Sequence, residues 1–513
     1  MGADLFNEVL HNLLSFQTIM AILMGVVGGI IVGSLPGLSA TMAVALLIPV
    51  TFGMEPVAGL TMLTAIYTSA LYGGSISAIL IHTPGTPASA ATSLDGYQMT
   101  LKGQGAKAIG ISTVSSMIGG TISALALLFL APPLSRISLA FSAPEYFLIA
   151  VFGLTIIGSL ASKSVAKGLT AGIVGLLIGA VGVDILTGYP RFTFGSISLE
   201  SGVSLVPAMI GLFSLSQVMI QAENRGKPKQ QKISKDKMSG KVLPTMKEFK
   251  SIWVTILRSS GIGTFVGMLP GAGGDIGSWV GYNEAKRFSK NKEKFGTGCI
   301  EGVAAPESAN NAVTGGALIP LLTLGIPGSS TTAVLLGGLM IQGLVPGHEL
   351  FTTNANITYS VIIGFIIASI LLGVIGLAGA RWFVKISGVS ESILAPIIIG
   401  LCVVGSYAIN NNMFDVWIMV IFGVIGYFMR KTGFHPAPVI LGMILGPIAE
   451  NGMRQSMLMA KGDLLSYYLG RPICVVLIIL TIISLFTPLF MKWWEKRGAG
   501  KPAMGDHSNE EKM

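Results

Sequence analysis

Residues 25–50, GVVGGIIVGSLPGLSATMAVALLIPV, contain no charged side chain, and their apolar run is interrupted at Pro36-Gly37. Proline lacks an N–H and its ring clashes with the preceding turn, while glycine accepts backbone angles closed to other residues. The pair therefore ends one helix and lets another begin, in surroundings too apolar for an ordinary water-facing loop. The whole chain shares this character. Of 513 residues 51% are hydrophobic, a further 67 are glycine and only 11% are charged, against roughly 25% charged in soluble domains. Mean hydropathy is +0.72. A soluble chain of this length would divide into several domains, each with a polar surface to cover, and this composition cannot cover them. Lipid is the solvent, and at roughly 20–25 residues per span the apolar material makes about a dozen or more segments. Continuous runs such as VLIILTIISLF (476–486) exclude a membrane β-barrel, whose strands alternate. The expected fold class is all-α: a polytopic integral membrane protein.

Charge reports topology. The balance is 33 basic against 24 acidic side chains, and residues 222–250 alone hold nine Lys/Arg against Glu223, Asp236 and Glu248. Basic loops between apolar segments face the cytoplasm, so the +9 excess is read as orientation and not as nucleic-acid binding. The first 101 residues lack Lys and Arg, so the basic start of a signal peptide is missing and the N-terminus is expected to be retained. The organisation expected is an extension (1–16), a first membrane half (17–221), a basic cytoplasmic loop (222–250), a second membrane half (251–492) and a charged tail (493–513). With the run Lys286 to Lys294 also cytoplasmic, the short segment between must enter the membrane and return, turning near Pro270-Gly271. Irregular backbone at that depth is tolerated only beside protein or a wet cavity. Cys299, Cys402 and Cys474 have no metal or redox spacing and read as packing residues.

The two halves repeat one another. Gly29, Gly33, Pro36 and Gly37 recur as Gly263, Gly267, Pro270 and Gly271, shifted by 234; Pro84 and Gly85 recur as Pro327 and Gly328, shifted by 243. Two ordered matches indicate an internal duplication, with inverted topology preferred over parallel. Hydroxyls follow the breaks: Ser39 and Thr41, Thr86 and Ser89, and Ser329, Ser330, Thr331 and Thr332; Asp275 and Ser278 follow the third. Such residues suit the start of a half-helix, whose free N–H groups and positive dipole end attract anions. Secondary transporters use interrupted helices from internal repeats in this way. A single Pro-Gly pair would serve only as a kink between packed helices; four in duplicated positions point to a cavity.

The blocks GSLPGLSATMAVALLIPVTFGMEP, YGGSISAILIHTPGTPASAATSLDGY, GMLPGAGGDIGSWVGYNEAKRFSK and GVAAPESANNAVTGGALIPLLTLGIPGSSTTAVLLGGLMIQG, in this order, resemble the large membrane subunit of the bacterial tripartite tricarboxylate transporters. The likeness covers about residues 15–495. It implies a multi-pass protein of the bacterial inner membrane and two partners: a small membrane subunit of about four spans and a periplasmic solute-binding protein. It also implies a citrate-like or other small carboxylate substrate, moved with sodium or protons. No other cofactor is implied, and no metal beyond a sodium site.

The ionisable residues near the breaks each have two readings. Asp275 serves as a cation ligand or proton carrier, since acids within a membrane are costly, or as a cap for the next half-helix. Glu301 reads as a loop end. Glu307, followed by Ser308, Asn310 and Asn311, is too polar a cluster for lipid and is expected to line water or substrate. His82 precedes the second break and reads as a neutral side chain bonded to a freed carbonyl before it reads as a proton carrier. Asp95 and Asp184 are expected at membrane surfaces. The substrate and cation site is therefore expected from Pro36, Gly37, Ser39, Thr41, Pro84, Gly85, Thr86, Pro270, Gly271, Asp275, Glu307, Asn310, Asn311, Pro327, Gly328, Ser329, Ser330 and Thr331. Two other classes compete. An intramembrane enzyme needs a metal cluster or an activated nucleophile, and His11, His82, His348, His435 and His507 are scattered without ligand spacing. A passive anion channel needs a continuous polar lining, and flux insensitive to ion gradients would identify it.

Overall fold

A computed structural model of the chain describes residues 3–35, 37–160, 164–184, 187–223, 242–269, 271, 273–386 and 391–498. Pro36, Pro270, most of the basic loop (224–241) and the end of the tail (499–513) lie outside the described residues. Regular structure among the described residues is helical apart from one two-residue antiparallel pair, Gly182–Val183 with Pro190–Arg191. Seven helices are long and apolar enough to cross a membrane, and several shorter apolar helices accompany them. The chain is an all-α, multi-pass membrane protein.

Ten helices build the region of the breaks and are labelled in chain order. They are α1 (Phe16–Ser34), α2 (Ala40–Phe52), α3 (Pro56–Ile81), α4 (Ala90–Leu101) and α5 (Gly105–Ser135) in the first half. In the second are α6 (Met246–Met268), α7 (Gly273–Phe288), α8 (Ile300–Leu324), α9 (Ser330–Ile341) and α10 (Ala355–Ile386). Helices α3 and α8 form the centre; every residue of α8 from Gly302 to Thr323 is buried.

α1 and α6 end alike. Leu35 leaves its helix at φ −84°, ψ 121° and Leu269 at φ −79°, ψ 118°. Gly37 and Gly271 follow at φ +84° and +82°, in the left-handed region that excludes most side chains. The next pair of ends also agrees: His82 closes α3 at φ 55°, ψ 27° and Gly325 closes α8 at φ 71°, ψ 16°. The His82 ring is exposed and packs on Tyr97, with centroids 4.7 Å apart, rather than on a freed carbonyl.

The packing obeys the shifts seen in the sequence. A Cβ built on Gly29 or Gly33 of α1 would strike the backbone of Ile66 or Ala70 on α3; on Gly263 or Gly267 of α6 it would strike Ala309 or Val313 on α8. The first members differ by 234 and the second by 243. In both halves the two helices run parallel. α7 then folds back, with Gly277 against Val313 and Gly281 against Ala309. Between the halves lies α5. It runs against α3, since Ser112 meets Ser75 at 2.6 Å while Gly120 lies beside Thr68. It runs along α8, since Gly119 meets Ser308 and Ser123 meets Gly315. Helices α3 and α8 are therefore antiparallel.

Candidate binding site at the helix breaks

A chain of close contacts joins the helix ends. At the start of α2, Thr41 Oγ1 lies 2.9 Å from Thr331 Oγ1 at the start of α9. Two residues earlier, Ser329 Oγ lies 3.4 Å from the Tyr67 hydroxyl of α3. Next to Tyr67, Thr68 donates to Asn311 Oδ1 of α8 at 3.1 Å. The neighbouring Asn310 amide faces the start of α7: a Cβ on Gly274 would lie 2.5 Å from Asn310 Oδ1 and 3.3 Å from Ala88 Cβ. Ala88 belongs to the turn Pro87–Ser89 that leads into α4. The third and fourth breaks also bond directly, Gly271 N–H to Gly328 O at 2.9 Å. First meets fourth, and second meets third.

Hydroxyls after the breaks act first as caps. Ser39 Oγ accepts from the Met42 N–H, and Ser329 and Thr332 close a reciprocal capping box. Each cap satisfies one of the free N–H groups of a helix start and leaves others for a ligand. Thr86 is buried and bonded to Ser89 at 3.0 Å. Gly85 donates to Gly74 O and packs on Gly33; Pro84 and Ser330 are half-buried. Gly37 is exposed, with the side-chain amide of Gln221 beside it. Asp275 stands in the first turn of α7 with an exposed side chain.

Asn310 is the unusual member. Its side chain is 0% exposed, yet neither Oδ1 nor Nδ2 has a hydrogen-bond partner. A buried primary amide left unpaired costs about 1–3 kcal/mol, and such groups are rare enough to call for a ligand or a functional reason. It lies at the junction of α8 with the starts of α7 and α4, where a carboxylate could accept from Nδ2 and from the free N–H groups of a helix start. A cation could instead take Oδ1.

Glu307, one turn earlier on α8, is separate from this junction. It is fully buried and accepts from Thr92 of α4 at 2.5 Å and from Ser112 and Ser116 of α5 at 3.0 Å each. Tyr67 and Thr68 were missing from the expected site. Continuing the 243-residue shift would have placed them opposite Asn310 and Asn311. Asp95, expected at a membrane surface, is wholly buried within the protein. It accepts from the N–H groups of Gly296, Gly298 and Cys299 and from the Tyr282 hydroxyl, at 2.7–3.0 Å, and so pins the α7–α8 connection. Asp184 is likewise buried, paired with Arg454 at 2.8 Å.

Helices interrupted inside a multi-pass bundle, with their starts gathered beside the unpaired Asn310 amide, are an arrangement that secondary transporters use to bind solute. The chain matches the tripartite tricarboxylate transporter TctA family over residues 19–441, and it belongs to that family, one of transporters and not of enzymes. Two proteins of Agrobacterium vitis are similar to it. An uncharacterized 52.8 kDa protein of the TAR-I ttuC' 3' region is 37% identical over 478 residues, covering 92% of this chain and 94% of its own. An uncharacterized protein of the TAR-II ttuC' 3' region is 37% identical over 235 residues, covering 46% of this chain and 97% of its own. No solved structure matches the chain.

Proposed function

We propose that this chain is the large transmembrane subunit of a binding-protein-dependent secondary transporter of the bacterial inner membrane. It imports tricarboxylates or related carboxylates with a sodium or proton gradient. Its partners are a small membrane subunit and a periplasmic solute-binding protein that delivers the substrate. The reading is supported by membership of the TctA family, and the observation that carries the site is the buried, unbonded Asn310 amide between helix starts. Backbone N–H groups, hydroxyls and this amide are the groups that would hold the anion.

We further read the two halves as an inverted repeat. Its support is the agreement of four helix ends in backbone angle, the contacts that recur under shifts of 234 and 243, and the antiparallel course of α3 and α8. Inverted halves give a site that can face either side of the membrane by rocking one half against the other.

The test is uptake into proteoliposomes containing the chain and both partners, with labelled citrate and other small carboxylates under imposed sodium or proton gradients. Accumulation that needs the binding protein and one of the gradients is the expected result. Flux down the solute gradient alone, indifferent to either ion, would replace the transporter with a channel.

A further inference from the structure

We propose that the Glu307 carboxylate, held by the hydroxyls of Thr92, Ser112 and Ser116, is the site that binds the coupling proton. The inference rests on the transporter reading above and chooses the proton over sodium.

The first reason is how Glu307 differs from the other buried carboxylates among the described residues. Glu145 is paired with Arg471 at 2.6 Å and Asp184 with Arg454 at 2.8 Å. Asp95 is held by three backbone N–H groups and a tyrosine. Asp415 lies in the first turn of its helix and accepts from the Asn410 amide at 2.7 Å. Each of these acids has a cation or an N–H group among its partners, which can only donate and so suits a permanently ionised acid. Glu307 has hydroxyls alone. A hydroxyl donates to a carboxylate or accepts from a carboxylic acid by rotating, so this shell fits both protonation states. When the proton arrives, one oxygen becomes O–H and donates to a hydroxyl, whose own hydrogen turns elsewhere. Ser112 already meets Ser75 at 2.6 Å and can hand its hydrogen there.

Second, the fold does not require this acid. Under the 243-residue shift Glu307 corresponds to Thr64 and Thr92 to Leu335. Thr64 and Leu335 line one apolar cavity with Phe365 of α10 and Leu318. The same packing position is thus oily in one half and acidic in the other, as expected for a function added to one copy.

Third, both carboxylate oxygens are already in contact with protein oxygens at 2.5–3.0 Å. Hard cations need several oxygen ligands around a cavity of their own size; a proton needs no added volume. Titratable and charged groups on the elements packed around it bond elsewhere. Tyr72 of α3 meets Thr113, Asp95 of α4 meets Tyr282 of α7, Lys107 of α5 pairs with Glu248 of α6, and Arg258 of α6 stacks on Phe288. On α8 itself, Glu301 bonds to Ser289.

The route to substrate is short. Glu307 precedes Asn310 by one turn, and Asn311 Nδ2 reaches back to Glu307 O at 3.5 Å. Thr92 belongs to the helix that follows the second break. Protonation therefore changes how tightly α8 grips α4, on either side of the unbonded amide.

The experiment places Glu307→Gln, which keeps size but cannot titrate, in proteoliposomes with both partners and labelled citrate. Accumulation driven by a pH gradient should be lost, while exchange of citrate across equal pH continues. Independently of transport, infrared difference spectra of the purified chain should show a protonated-carboxyl carbonyl band on acidification that the variant lacks. Should the variant fail to fold, Thr92→Val serves. It removes one donor to the ionised form and should move the midpoint of the wild-type pH profile upward by about one unit. Full pH-driven accumulation in Glu307→Gln, an unchanged infrared band, or an unmoved midpoint in Thr92→Val would overturn the proposal, as would uptake driven by sodium alone. If citrate is not transported under any gradient, the function reading fails while the infrared band still decides the fate of Glu307.

Discussion

Thr68 donates its hydroxyl to Asn311 Oδ1 at 3.1 Å, and the two stand 243 positions apart, the displacement that carries Pro84-Gly85 onto Pro327-Gly328. On the proposed duplication, a residue that touches its own counterpart lies on the axis relating the two halves. The preceding counterparts, Tyr67 and Asn310, diverge in chemistry: Tyr67 bonds to Ser329 at 3.4 Å, whereas Asn310 bonds to nothing. On the proposed duplication, one copy keeps a structural bond and the other exposes a binding amide.

Asn310→Ala breaks no hydrogen bond within the protein, so its folding stability should stay within about 1 kcal/mol of the parent. Affinity for a transported carboxylate should fall by roughly 10- to 100-fold, the loss expected for a hydrogen bond to a charged group. Equilibrium binding to the purified chain, with a thermal melt beside it, reads both. A destabilised variant with unchanged affinity would make Asn310 a packing residue.

Gly28 and Gly29 are neighbours with opposite expectations. A Cβ on Gly28 meets nothing within 4 Å, while one on Gly29 would stand 2.8 Å from Ser69 Cβ and 2.9 Å from Ile66 O. Gly28→Ala should be neutral or stabilising by about 0.5–1 kcal/mol, by the usual helical preference. Gly29→Ala should cost about 1–3 kcal/mol by forcing α1 from α3. Thermal unfolding in detergent compares them directly.

Asp95→Ala would remove the acceptor of three N–H groups on exposed or half-buried residues of the α7–α8 connection, Gly296, Gly298 and Cys299, at about 0.5–1.5 kcal/mol each. Asp95→Asn keeps an acceptor and should lose less. Trypsin cleavage after Lys290, Lys292 or Lys294 should be fast in the alanine variant, intermediate in the asparagine variant and slow in the parent.

Thr41 and Thr331, with hydroxyl oxygens 2.9 Å apart, bring their side chains within reach of a disulfide. In a chain whose three native cysteines are replaced, Thr41→Cys with Thr331→Cys should cross-link on oxidation. After cleavage in the basic loop the two halves should migrate together until reduced. Separation without reductant would place the first and fourth breaks apart.

The sequence made the breaks legible because proline and glycine act locally: Leu35, Gly37, Leu269 and Gly271 take the angles that a Pro-Gly interruption demands. It also pointed to Asn310 and Asn311, amides too costly for lipid. What escaped reading depends on tertiary contact. Thr92, Ser112 and Ser116 look like ordinary helical hydroxyls, which commonly bond their own preceding carbonyls, and only the approach of α8 turns them toward Glu307. Nothing in "SLDGYQ" reveals the partners of Asp95; its burial follows from a connection more than 200 residues away folding over it. The apolar counterpart of the acidic cluster, around Thr64 and Leu335, was hidden because no local pattern distinguishes it from core.

The most direct measurement is a density map of the reconstituted transporter with a carboxylate bound. The broken-helix account predicts ligand density within hydrogen-bonding distance of Asn310 Nδ2 and of the N–H groups that open α7 or α9. A ligand seated away from all the breaks, with Asn310 still unbonded, would contradict it.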